Sequence, residues 1–121
     1  MSRDLTQYPD DENGDVLWSM LQDGDDLSIA REVDFATIFP DENAAIQFAV
    51  HLLRNDQKVS FSAYEGHDTH PWQVVAHPLM LPTYDNISGF EALLESEASR
   101  FGGRVDGWGC MQQGGQQVSP P

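Results

Sequence analysis

The residues whose types could do chemistry fall into a few groups. Glu65, His67, Asp68 and His70 stand within one short segment before Pro71. Their imidazole nitrogens and carboxylate oxygens are a donor set suited to a metal such as zinc. The same residues also make an ordinary solvated turn between strands. His51 and His77 stand apart, in stretches patterned as a helix and a strand, and neither has an evident carboxylate partner along the sequence. Cys110 is the one cysteine; as a nucleophile it would need an adjacent base and donors for an oxyanion, and nothing beside it supplies them. With twenty acidic residues in the chain, the presence of paired carboxylates says nothing about acid–base roles. There is no phosphate-cradling loop and no dinucleotide fingerprint. The reading is a chain that is not an enzyme and carries no cofactor.

The run Asp106-Gly107-Trp108-Gly109 is more specific. Glycine on both sides of a tryptophan removes the neighbouring Cβ atoms and lets the backbone bulge or approach a surface closely. Tryptophan brings a large apolar area and one N–H donor, a combination that serves either to seal the end of a sheet or to anchor a partner. Both readings of Trp108 stand on sequence alone.

Charge restricts the partners. Six basic residues stand against twenty acidic ones, giving a net charge of −14. Such a field repels phosphate backbones and anionic headgroups, so direct nucleic-acid and membrane binding are disfavoured. A basic protein segment is favoured, with the attraction acting mainly on association rate; acidity also serves solubility. Asp23, Asp25 and Asp26 cluster as possible charge contacts. A single cysteine excludes an intramolecular disulfide framework. No apolar run reaches membrane-spanning length, and Met1-Ser2-Arg3-Asp4-Leu5 leads into acidic residues rather than a signal-peptide core. A cytoplasmic protein is the simplest expectation.

The elements that must position these residues follow from periodicity. With 121 residues and 40% hydrophobic content the chain is long enough for one packed domain. Residues 1–13 read as a flexible acidic lead-in, and Asp15 as the cap of a short helix ending near Gly24. Arg31–Phe39 alternates as a central strand. Asp41 caps a helix with Ala45, Phe48, Ala49, Leu52 and Leu53 on one face. Lys58–Tyr64 is an edge strand, and a third strand runs from Trp72 toward Leu81, with Pro78 an unresolved interruption. A helix from Tyr84 or Asp85 carries Ile87, Phe90, Leu93, Leu94, Ala98 and Phe101 on its apolar side, stops at Gly102-Gly103, and leads to a short last strand around Trp108. After the first helix this is a doubled split β-α-β order. It predicts an α+β, ferredoxin-like α/β sandwich: a four-stranded antiparallel sheet with two helices on one face, plus the extra N-terminal helix. Residues 112–121 read as a flexible Gln/Gly/Pro tail.

Taken together, Asp106-Gly107-Trp108-Gly109, Asp15-Val16-Leu17-Trp18, Val33-Asp34-Phe35 and Phe39-Pro40 resemble the regulator of ribonuclease E activity B family over most of residues 14–111. The resemblance implies a non-enzymatic, ferredoxin-like protein that binds an endoribonuclease, ribonuclease E or its arginine-rich scaffold region, and inhibits or modulates it. It makes Asp106, Gly107, Trp108 and Gly109 the characteristic positions for partner contact. The chain departs from the pattern of the enteric members in its tail, which is rich in glycine and glutamine where they carry a longer acidic extension. Two other readings remain open: an interaction domain for a different basic protein, and a small metal- or ligand-binding protein using the loop of His67 and His70. The oligomeric state is not legible.

Overall fold

The computed structural model describes residues 3–66 and 68–110. Its order is α1 (Glu12–Gln22), β1 (Arg31–Phe39), α2 (Glu42–Arg54), β2 (Val59–Ala63), β3 (Trp72–Ala76), β4 (Leu79–Met80), α3 (Tyr84–Ser99) and β5 (Arg104–Cys110). The molecule is α+β, with an open antiparallel sheet of five strands rather than the four expected. The extra strand has a simple cause. Arg31↔Met80 and Glu32↔Leu79 continue the register of Phe35↔Ala76 along β1, and Val33 N–H donates to Pro78 O at 2.9 Å. β3 and β4 are therefore one line of chain, broken at Pro78 because proline has no N–H to give the ladder.

β1 is the centre of the sheet, with β3 on one side and β5 on the other; β2 pairs with the far side of β3. Val33, Phe35 and Phe39 point to one face of β1 and are fully buried. Phe35 meets Phe90 of α3 with ring centroids 4.8 Å apart, and Phe39 meets Phe48 of α2 at 5.0 Å. Because Phe35 and Phe39 share a face of the strand, α2 and α3 pack on that same face. Burial of each such side chain contributes about 1.5–3 kcal/mol. The other face carries Glu32 and Asp34, both exposed. Ile38 belongs to that face by alternation, is fully buried, and lies outside the main cluster.

The helices begin where side chains accept backbone N–H groups. Asp41 accepts from Ala44 N at 2.8 Å and Thr83 from Asn86 N at 3.2 Å. α1 is capped by Asp11, accepting from Gly14 N at 2.9 Å, not by Asp15. Asp15 lies in the first turn, where a carboxylate favours the helix dipole, and pairs with Arg3. Arg3 also donates to the carbonyls of Tyr8 and Pro9, and Tyr8 packs on Trp18 at 5.4 Å, so residues 3–11 fold back onto α1. The expected tail at residues 112–121 lies outside the described residues, as does His67.

Candidate functional site

The strand that holds Trp108 is irregular where it needs to be. Across β5, Ala36 opposes Gly107 and Thr37 opposes Val105, so Asp106 is the extra residue of a bulge. Gly107 has φ +123°, a conformation that side chains resist. Trp108 opposes Phe35 and therefore points to the helix-covered face, where it is half-buried against the core. Its indole N–H donates to Asn13 Oδ1 at 2.9 Å. The Asn13 amide in turn donates to Ser88 Oγ at 3.0 Å and Glu91 Oε1 at 2.9 Å. Trp108 thus ties β5 to α1 and α3 from beneath.

Asp106 is exposed on the opposite side of that strand. Its carboxylate accepts the Tyr64 hydroxyl, and this hydrogen bond and the charge behind it raise the Tyr64 pKa. Asp106 and Gly107 form a lip between two open depressions. One, of about 530 Å³, lies between β5 and α3 and is lined by Glu12, Ser88, Glu91, Ala92, Glu95 and Val105 together with the lip. Its four carboxylates, Glu12, Glu91, Glu95 and Asp106, are joined by no basic side chain in the lining. Glu95 Oε2 accepts Val105 N–H at 2.7 Å, which covers part of the free edge of β5. The other depression, about 480 Å³, lies on the uncovered sheet face and is lined by Asp34, Ala36, Gln73, Val75, His77, Trp108, Gly109 and the lip.

Sequence reasoning left His77 without a partner, and the sheet register supplies two. His77 Nδ1 lies 2.7 Å from Asp34 Oδ1, and its Nε2 lies 3.0 Å from Ser60 Oγ. This is the connectivity of an acyl-transfer triad. The setting is not one that supports that chemistry. Asp34 is 55% exposed, and Ser60 sits mid-strand with its N–H turned into the β3 ladder rather than toward an oxyanion. Glu32, Asp34 and His77 offer donor atoms within 4.8 Å of one another, a possible cation cluster, but Glu32 Oε2 is already held by Lys58 Nζ at 2.7 Å. The only sequence signal for this network was the parity of Asp34, Ser60 and His77 on their strands.

The acidic turn after α1 divides in two. Asp25 is buried, and both its oxygens accept from Arg31 Nη1, at 2.8 and 2.9 Å. Arg31 Nη2 donates to the carbonyls of Asp26 and Ile29, which fixes the turn. Asp23 and Asp26 are exposed. The Asp26 carboxylate accepts from Ser28, which lowers its pKa. Of the other candidates, His70 Nδ1 lies 2.9 Å from Thr69 Oγ1, and Glu65 and Asp68 are exposed. Burial pushes the Cys110 thiol pKa up, away from the thiolate a nucleophile requires.

These features define a small acidic α+β domain with open, carboxylate-bearing depressions on both sides of the Asp106–Gly107 lip. None of the described helices is long and apolar enough to cross a membrane. The sequence matches the family model of the regulator of ribonuclease activity B over residues 10–110, and the chain belongs to that family. It therefore stands among regulators of ribonuclease activity. The match agrees with the resemblance carried by the Asp106-Gly107-Trp108-Gly109 run and its companions. No curated protein matches the chain.

Proposed function

We propose that this protein binds ribonuclease E or its scaffold region and inhibits or modulates the enzyme by protein contact. It acts in the cytoplasm, without catalysis or a cofactor of its own. The observation that carries this reading is the groove beside the Asp106–Gly107 lip, with four carboxylates and no basic side chain in its lining. An arginine-rich segment matches that surface in charge, whereas RNA is repelled by a net charge of −14. Asp106, Gly107 and Gly109 meet the partner directly, and Trp108 holds them in place from the core side. Asp23 and Asp26 add charge, and Asp25 sets their turn through Arg31. The strand sequence β2, β3, β1, β5 with α2 and α3 on one face supports a ferredoxin-like reading of the scaffold.

Calorimetric titration against purified ribonuclease E, full length and without its C-terminal scaffold, tests the proposal at two salt concentrations. Binding should weaken steeply with salt, and the double variant Glu12→Gln, Asp106→Asn should associate several-fold more slowly. Binding that ignores salt would argue against the electrostatic groove. An absence of binding to both forms of the nuclease would transfer the same surface to a different basic protein.

A further inference from the structure

The two edges of the sheet are finished differently. β5 carries the Asp106 bulge, and Glu95 covers its Val105 N–H. β2 has neither device: Val59–Ala63 contains no proline and pairs with β3 in unbroken register. Tyr64 N–H donates to Pro71 O at 2.6 Å and His77 N–H to Lys58 O at 2.9 Å, so the even-numbered residues of this segment face β3. The N–H and C=O groups of Val59, Phe61 and Ala63 therefore point outward along an edge that no strand among the described residues pairs with, a ready template for another strand.

An apolar flank stands beside that edge. Ile46, Val50 and Leu53 recur at helical spacing on α2 and are 44%, 38% and 55% exposed. His51 of the same helix reaches Glu97 of α3 at 2.9 Å, so one flank of α2 faces α3 and the Ile46–Leu53 stripe takes the other, over β2. Phe61, 38% exposed and stacked on Trp72 at 5.5 Å, continues the patch onto the strand.

We propose that two copies of the chain pair antiparallel through β2, joining their sheets and bringing the two α2 stripes together across a dyad. Local charge selects this occupant. Arg54 and Lys58, two of the six basic residues, stand here against Glu42, Asp56 and the Glu32 that holds Lys58 Nζ at 2.7 Å, so two cations nearly offset three carboxylates in a molecule of −14. A basic segment is drawn to the carboxylate groove instead. A second copy meets little local repulsion, and a two-fold axis makes both edge and stripe complementary to themselves.

Sedimentation velocity of the full chain over a concentration series, at low and high salt, is the test. The mass should rise from 13.5 kDa toward twice that value. High salt should strengthen association by screening the net charge, opposite in sign to the nuclease interaction. Leu53→Glu alters an exposed site and should weaken association tenfold or more. Ala63→Pro removes one outward N–H while leaving the β3 ladder intact, and should do the same. Circular dichroism checks that both variants fold; if Ala63→Pro does not, Leu53→Glu decides alone. A monomer at every concentration, association weakened by salt, or a dimer indifferent to the folded variants would overturn the proposal.

Discussion

At Trp108 the side chain turns to the helix-covered face, while the residue also borders the open depression of the other face. The ring opposes Phe35 and its N–H is held by Asn13, so truncation opens a void at the junction of α1, α3 and β5. Trp108→Ala should cost ~3 kcal/mol in chemical denaturation, toward the lower end for a large core residue because the ring is half-buried. Trp108→Phe should cost less, with Asn13 losing one donor. A variant as stable as the wild type would show that the ring carries no core load. Asp25 and Arg31 make a second prediction. Removing one partner of this buried pair, as in Asp25→Ala, leaves an uncompensated guanidinium and should cost about 3–5 kcal/mol. Asp25→Leu combined with Arg31→Met should recover much of that loss, since no buried charge then remains. If the double variant is no more stable than Asp25→Ala, the loss comes from the hydrogen bonds that fix the turn.

At the scale of elements, periodicity located α2 and α3 because each buries one face, and β1 because its burial alternates from Arg31 to Phe35 before both faces close over Thr37, Ile38 and Phe39. The junction of α3 with β5 depends on more. Gly103 N–H donates to Ala98 O at 2.9 Å, closing the end of the helix. A Cβ on Gly103 would lie 2.3 Å from Phe39 Cε2 and 2.8 Å from Ile38 O. Glycine is therefore required here for close approach to β1 as well as for the helix stop. Gly103→Ala should destabilise by several kcal/mol, read as a fall in thermal midpoint. An unchanged midpoint would mean that Phe39 can move aside. Pro78 is the element that periodicity described least well: it interrupts hydrogen bonding, while the strand direction continues through it to Met80.

For the whole molecule, pH acts through a few fixed hydrogen bonds set against a large net charge. The Asp11 pKa is lowered, first by the Tyr84 hydroxyl it accepts and then by Gly14 N–H. Because the folded value lies below the unfolded one, this contribution is complete above the unfolded carboxylate pKa and fades as pH falls through the folded value. The Tyr84 pKa is raised by the same contact, so its share is complete below the unfolded phenol pKa and fades as pH rises through the folded one. The Glu97 pKa is lowered, first by its hydrogen bond from His51 and then by Arg100, and Glu97 follows the Asp11 pattern in acid. Tyr84→Phe should therefore be less stable than wild type at neutral pH. The gap should close in acid as Asp11 protonates and again in alkali as Tyr84 ionises. A gap constant across pH would show that the variant acts through packing alone.

The sequence by itself determined what depends on neighbours along the chain: the helical and strand periods, the Asp41 cap, the glycine stop after α3, the acidic field and the family. It did not place Asp25 inside and Asp26 outside, give His77 its Asp34 and Ser60 partners, or choose the face for Trp108. The first depends on Arg31 closing the turn before β1; the other two depend on strand register, and a shift of one residue exchanges the two faces of a strand. Register is decided only when the core closes, because the burial of Phe35 and Phe39 against α3 and α2 selects one pairing among those that local pattern allows. The carboxylate groove has the same origin. Glu12, Glu91, Glu95 and Asp106 lie on α1, α3 and β5, and only the tertiary structure brings these elements side by side.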